Sequence, residues 1–358
     1  MKLEELTARL IEFKSTKENP DELSRIVDFV SAYLGDGFIK RRFERNGKHS
    51  LVVSFSEDRH SRIMFVGHLD VVEGEEIQFH PVIEGDRIFG RGALDMKGPD
   101  AVMIELFKHL KDENLPISLM LTTDEEVGSK DGVEYLLKEE GFSADFAVIP
   151  DGGENFELII KGKGVAHFHV EATGASVHGS RPWEGKNAID RLIDFYTELK
   201  KHFPEEPCGD PQHWHNTINL GVLRGGVAPN IVPDKAEMEL DIRFVEPWTV
   251  ARIEAFVQEK ASSDIKVELL SYGEVVSTPE DHPMVQKFKK SVEEVLGRPA
   301  VFAVEHGATD GRFFSEKGIP TVITYPVGGN IHGKDEWVSI KSLYQLYEIF
   351  KKFLKLAL

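Results

Sequence analysis

The stretch "MFVGHLDVV", residues 64–72, decides how the rest of the chain is read. An apolar run of strand length closes on two polar side chains, His68 and Asp70. Successive strand side chains point to opposite faces, so these two, two residues apart, project the same way. Around this run, apolar segments bounded by turn signals alternate with helical patterns. "GPDAVMIELFKHLKDEN" reads as a helix with Pro99 near its first turn, "ISLMLTTDEEVG" as a strand, "KDGVEYLLKEEG" as a helix and "ADFAVIPDGG" as a further strand. The alternation predicts an α/β fold with a mixed, largely parallel sheet flanked by helices, in which ligands bind beyond the carboxyl ends of the strands. The polar residues sit at those ends.

From about Gly162 the texture changes. "GVAHFHVEATG", "NTINLGVLRGG", "KAEMELDIRFVE" and "IKVELLSYGE" alternate apolar with polar residues, as antiparallel strands with one wet face do. "NAIDRLIDFYTELKKHF" and "TVARIEAFVQEKASS" interleave them with helical periodicity. The expected organisation is one α/β domain formed by residues 1–161 and 278–358, with an inserted α+β domain, two helices on an antiparallel sheet, over 162–277. The last segment, "SIKSLYQLYEIFKKFLKLAL", is basic and amphipathic; a helix packed on the first domain is the expectation, ahead of a membrane-surface segment.

Composition excludes several classes. Among 358 residues, 43 basic side chains face 61 acidic ones, for a net charge of -18, a field that repels phosphate backbones and argues against nucleic acid as a partner. No apolar run approaches the roughly 20 residues that span a bilayer, so no membrane association is expected. "MKLEELTARLIEFKS" lacks the apolar core and small-residue cleavage site of an export signal, and the single cysteine fits a reducing compartment; the cytoplasm is the expected location.

Each chemical motif has a bland reading beside a functional one. His68 and Asp70 form either a metal-binding histidine oriented by a carboxylate or a strand-end histidine satisfied by its neighbour. Asp95 in "GRGALDMKGPD" stands ahead of a helix, as a ligand or as a helix cap. In "TTDEEVG", Asp124, Glu125 and Glu126 crowd negative charge that needs protons or cations, unless it is a solvated turn; in extended backbone Glu125 and Glu126 would face opposite ways. Asp151 in "IPDGG" and His332 in "GGNIHGKDEW" again follow apolar strands. Mixed imidazole and carboxylate ligands suit zinc, manganese, cobalt or iron, and five are more than one tetrahedral ion uses. Two ions sharing a carboxylate would use them all. Cys208, His213 and His215 in "PCGDPQHWHN" invite a separate zinc site, but without a second cysteine at ligand spacing the expected reading is a polar loop of the inserted domain. Nucleotide-binding and serine-hydrolase motifs are missing.

The succession "GHLDVV", "GRGALDMKG", "TTDEEVGS", "IPDGG", "HGSRPWEGKNAI", "GGVAPNIVPDKAEMELDIR" and "NIHGKDEW" resembles the M20 metallopeptidases, in order and spacing from about residue 60 to the C-terminus. That group includes glutamate carboxypeptidase, dipeptidases, aminoacylases, acetylornithine deacetylase and succinyl-diaminopimelate desuccinylase. The resemblance implies two zinc ions, with cobalt or manganese as substitutes. Asp95 would bridge them, His68 and Asp151 would complete one set of ligands, and Glu126 and His332 the other. It further implies that Glu125 is the general base, that Asp70 orients His68, and that the inserted domain is a lid and dimerisation domain. His178 in "SVHGSRPW" would reach a second copy's site in a homodimer, and Asn230 and Arg243 would bind the substrate carboxylate; without the resemblance, Arg243 reads as a surface charge on a strand. The expected substrates are small peptides or N-acyl amino acids, cleaved next to a free carboxylate. Asp rather than Glu at position 151 tilts the reading towards carboxypeptidases and dipeptidases over deacylases. A non-catalytic zinc-binding scaffold is the remaining alternative.

Overall fold

The computed structural model describes residues 1–204, 208–210 and 212–358. The chain divides into two units, one of Met1–Lys161, Ser277–Glu305 and Thr309–Leu358, the other of Gly162–Val276 with His306–Ala308. The expected inserted segment, 162–277, therefore differs by Ser277 at its end and by the three residues His306–Ala308, which group with the second unit.

In the first unit the sheet runs, across its width, Ile39–Arg45, Lys48–Ser54, Ile117–Thr122, Ile63–His68, Ala147–Ile149, Thr321–Ile323 and Leu158–Gly162. Its four central strands are mutually parallel, with Ile63–His68 paired to Ile117–Thr122 on one side and to Ala147–Ile149 on the other, and Thr321–Ile323 beyond. The flanking pairs are antiparallel. Central strands buried on both faces read as nearly continuous apolar runs, as "IMFVG" does and "ISLML" does but for Ser118, whose hydroxyl is paired with Ser61 at 2.8 Å. Because the four are parallel, their carboxyl ends lie along one edge of the sheet, and that edge carries the chemistry.

Helices Leu3–Ile11, Pro20–Leu34, Gly98–His109, Pro283–Leu296 and Ile340–Ala357 supply the apolar cover. The C-terminal helix buries Leu343, Leu346, Ile349, Phe350, Phe353 and Leu354, a stripe at helical spacing. Phe350 lies 5.1 Å from Phe65 and Phe353 5.1 Å from Phe288, ring centre to ring centre, so the stripe packs on the core as expected and not on a membrane surface. Among the described residues no helix is long and apolar enough to cross a membrane.

The second unit is a four-stranded antiparallel sheet in the order Thr217–Gly225, Lys235–Phe244, Gly164–Thr173, Ile265–Gly273. Helices Ala188–Lys200 and Val250–Lys260 close over it, capped by the side chains of Asn187 and Thr249. Ala236, Met238, Leu240, Ile242 and Phe244 are buried with Phe168, Val170, Leu192 and Ile253, while the residues between them face water.

Candidate metal centre

Each central strand of the first unit delivers polar side chains past its carboxyl end: His68 and Asp70, then Glu125 and Glu126, then Asp151, then Tyr325. Asp95 comes from the turn Ala93–Lys97, entered through Gly92, whose φ of +79° a residue with a side chain would adopt only with strain. His332 lies on the loop before Trp337–Ser339.

These residues form two groups that meet at Asp95. Ligand atoms of His68, Asp95 and Asp151 lie within 4.8 Å of one another, and so do those of Asp95, Glu126 and His332. The two oxygens of Asp95 divide between them: Oδ1 is 3.1 Å from His68 Nε2, and Oδ2 is 3.0 Å from His332 Nε2. Asp151 Oδ1 is 3.9 Å from His68 Nε2, and Glu126 Oε1 is 3.3 Å from His332 Nε2.

Burial and mutual repulsion set the electrostatics of this arrangement. Burial raises the carboxyl of Asp151 to about 7, with the charge of Asp95 adding to the effect, and burial lifts Glu125 well above the usual range, aided by Asp151 and Asp310. Burial opposes the charge of Asp95 as well, but hydrogen bonds from His332 and His68 hold it below the usual carboxylate range. The carboxylates in turn draw protons onto both imidazoles. His332 rises to about 10, chiefly through Asp95 and then Glu126, and His68 rises against its burial through Asp95 and Asp151. Oxygen and imidazole donors crowded in this way, with no thiolate among them, suit a divalent transition cation, whose binding would release the protons the carboxylates draw onto the imidazoles.

Asp70 behaves differently from the expectation. His68 Nδ1 donates to the main-chain carbonyl of Asp70 at 3.0 Å, while the Asp70 carboxylate stands 3.6 Å away. That carboxylate instead accepts the amides of Glu125 at 3.3 Å and Glu126 at 3.1 Å. The backbone there is not extended: the strand ends at Thr122, and Glu125–Val127 form a 3₁₀ turn whose free amides point at Asp70. One residue thus orients His68 through its backbone and the two glutamates through its side chain.

Several contributors escaped the sequence reading. The Tyr325 hydroxyl lies 3.0 Å from Asp95 Oδ1 and within hydrogen-bond reach of Asp151, sharing its single proton between them and tying the two carboxyl groups together. Buried Glu336 accepts the amides of Gly92, Leu94 and Asp95 at 3.0–3.1 Å and pairs with buried Arg91 at 2.9 Å, so it holds the Asp95 turn in place. Asp100 is buried with neither oxygen hydrogen-bonded, and burial pushes its carboxyl well up. The "DEW" and "TYP" stretches hinted at Glu336 and Tyr325 only in being polar groups after apolar strands.

His178, Asn230 and Arg243 belong to the second unit. His178 and Asn230 are brought together there: Gly179 donates its amide to the Asn230 carbonyl at 2.7 Å, and a Cβ on Gly179 would meet the Asn230 backbone at 3.0 Å. His178 is exposed, its Nδ1 2.8 Å from Ser180 Oγ. Arg243 lies on the wet face of strand Lys235–Phe244 and is paired with Asp241 at 2.8 and 3.1 Å.

A succinyl-diaminopimelate desuccinylase of Sulfurovum sp. (strain NBC37-1) is 27% identical over 370 residues, covering 99% of both chains. Among solved structures, aminopeptidase PepT from Bacillus cereus ATCC 10987 superposes with a TM-score of 0.82 at 20% identity, over 99% of this chain and 98% of that one. The M20 family metallo-carboxypeptidase Sso-CP2 from Sulfolobus solfataricus gives 0.79 at 19% identity, over 98% of each chain. These two likenesses speak for the fold alone. The profile of Peptidase family M20/M25/M40 matches residues 64–356, the span that holds both ligand groups, and the chain belongs to that family of metallohydrolases.

Proposed function

We propose that this enzyme hydrolyses a peptide or N-acyl amide bond next to a free carboxylate, using two divalent cations, zinc in the first place, held by His68, Asp95, Asp151, Glu126 and His332. The observation that carries the reading is the division of Asp95, one oxygen towards His68 and the other towards His332. When bound, such cations supply Lewis acidity that polarises the scissile carbonyl and acidifies water. Glu125 takes the proton from the attacking water and delivers it to the departing amine, and its burial keeps the carboxylate basic enough to do so. Asp70 keeps Glu125 aimed through the amide it accepts. His178 stabilises the developing oxyanion, and Asn230 and Arg243 receive the substrate carboxylate. Arg243 then gives up or shares its contact with Asp241. The protein acts as a cytoplasmic homodimer in which His178 serves the site of a second copy, and sedimentation tests this.

A second reading, hydrolysis of an N-acyl amino acid, is favoured by the curated desuccinylase relative that matches almost the whole chain. Release of free amine from a panel of dipeptides, N-acetyl and N-succinyl amino acids, with zinc, cobalt or manganese added, separates the two. Glu125→Gln is expected to lower kcat by roughly 10²–10⁴ with bound metal unchanged. Full activity in that variant removes Glu125 from the mechanism, and a chain that binds metal but cleaves nothing on the panel speaks for the non-catalytic alternative.

A further inference from the structure

The second unit carries a cluster that the hydrolytic chemistry does not use. Cys208, His213 and His215 lie between helix Ala188–Lys200 and strand Thr217–Gly225, and one ligand atom from each lies within 4.8 Å of the other two. Cys208 Sγ is 3.3 Å from His213 Nδ1. Bonds of about 2.3 Å to sulfur and about 2.0–2.1 Å to nitrogen set ligand atoms roughly 3.5 Å apart around a tetrahedral ion. The Cys208–His213 separation is therefore that of a ligand pair, and His215 presents a ligand atom within 4.8 Å of both.

Hydrogen bonds hold the backbone on either side of His213. The Asp210 carboxylate accepts the amides of Gln212 at 2.9 Å and Trp214 at 2.7 Å, and Lys163 Nζ donates to the His213 carbonyl at 2.8 Å. His215 Nδ1 lies 3.1 Å from the Asn216 carbonyl. A carbonyl only accepts, so Nδ1 carries the proton and Nε2 presents its lone pair, the arrangement by which metal-bound histidines are commonly oriented. His213 is exposed and the other two are partly so, which leaves the cluster open to an ion from solvent.

We propose that Cys208, His213 and His215 form a metal site of their own, taking a single borderline-soft transition cation such as zinc or cobalt, with solvent in the fourth position. A thiolate with two imidazoles selects such ions over magnesium, calcium or manganese. The ion pins the loop that joins helix and strand. The inference does not depend on the hydrolase reading, and it is read without turnover.

Cys208 is the only cysteine among the 358 residues, so thiolate-to-cobalt charge-transfer absorption can come from no other position. Titrating metal-free, full-length protein with cobalt(II) is expected to raise that near-ultraviolet band to saturation. Zinc should displace it, Cys208→Ser should abolish it, and His213→Gln or His215→Gln should weaken cobalt binding, as read from the band, by more than the roughly 10–100-fold typical of losing a mere outer partner. Absence of the band, or a band indifferent to both histidine substitutions, overturns the site. Should Cys208→Ser misfold, alkylation of Cys208 by iodoacetamide in the unaltered chain decides: zinc is expected to slow it at least tenfold, and an unchanged rate rejects the proposal.

Discussion

Glu336→Ala is the sharpest test of how the Asp95 turn is held. The carboxylate is fully buried, accepts three backbone amides at 3.0–3.1 Å and pairs with an Arg91 side chain that is 4% exposed. Removing one partner of a buried pair costs about 3–5 kcal/mol, because the remaining charge is left without compensation. Three orphaned amides would add about 1–3 kcal/mol each if the turn stayed rigid. Groups that share one partner are not additive, and the turn can relax towards water, so about 3–5 kcal/mol is the expected loss. At about 2–4 °C per kcal/mol, the melting temperature should fall by about 6–20 °C. Asp95 moves with the turn, so zinc affinity should also drop by roughly 10–100-fold. Calorimetry of the metal-free protein isolates the stability effect, and competition with a zinc chelator reads the affinity. A variant that melts within a degree or two of the parent and binds zinc equally well would refute the assignment of Glu336 as the anchor of this turn.

Tyr325→Phe removes the hydroxyl shared by Asp95 and Asp151 while keeping the ring, and should weaken zinc binding about tenfold or more without a comparable loss of melting temperature; equal affinity would show that the hydroxyl orients nothing. Phe350→Ala empties a fully buried position against Phe65 and should cost about 3–5 kcal/mol in denaturant unfolding, whereas a cost below about 1 kcal/mol would argue that the C-terminal helix is not part of the core. Burial works against the charge of Asp241, but His167, with Nε2 3.7 Å away, and the two hydrogen bonds from Arg243 hold its carboxyl at about 2. A depressed folded-state pKa stabilises above the unfolded value near 4 and is lost as pH falls towards 2, so the parent's stability advantage over Asp241→Asn should be present at pH 5 and vanish across that window; an advantage constant from pH 5 to 2 would contradict the pairing.

The ends of the central strands were legible because a strand announces itself locally. "IMFVG", "ISLML" and "FAVI" are mostly apolar runs of strand length, and histidines and carboxylates recurring just past them mark the sheet edge where ligands bind, although each one singly also had a bland reading. Glu336 and Tyr325 were not legible, because their meaning lies in partners far along the chain. Glu336 meets the Gly92 amide across 244 residues, and Tyr325 meets Asp95 across 230. No period or cap links such positions. Asp70 shows an intermediate case: its neighbourhood with His68 was readable, but the turn at Glu125–Val127 redirected its carboxylate to amides 55 and 56 residues away.

The α/β framework, the antiparallel inserted segment and the residue types that could hold a cation are written in short stretches, because hydrophobic period, turn residues and donor chemistry are local properties. Which oxygen of Asp95 faces which histidine, the pairing of the Asp70 side chain with two glutamate amides and the anchoring of the turn by Glu336 emerge from the folded chain. Those outcomes depend on how separate stretches meet, and burial then fixes their chemistry, since a carboxylate removed from water takes whichever amide, imidazole or hydroxyl the packing brings within reach.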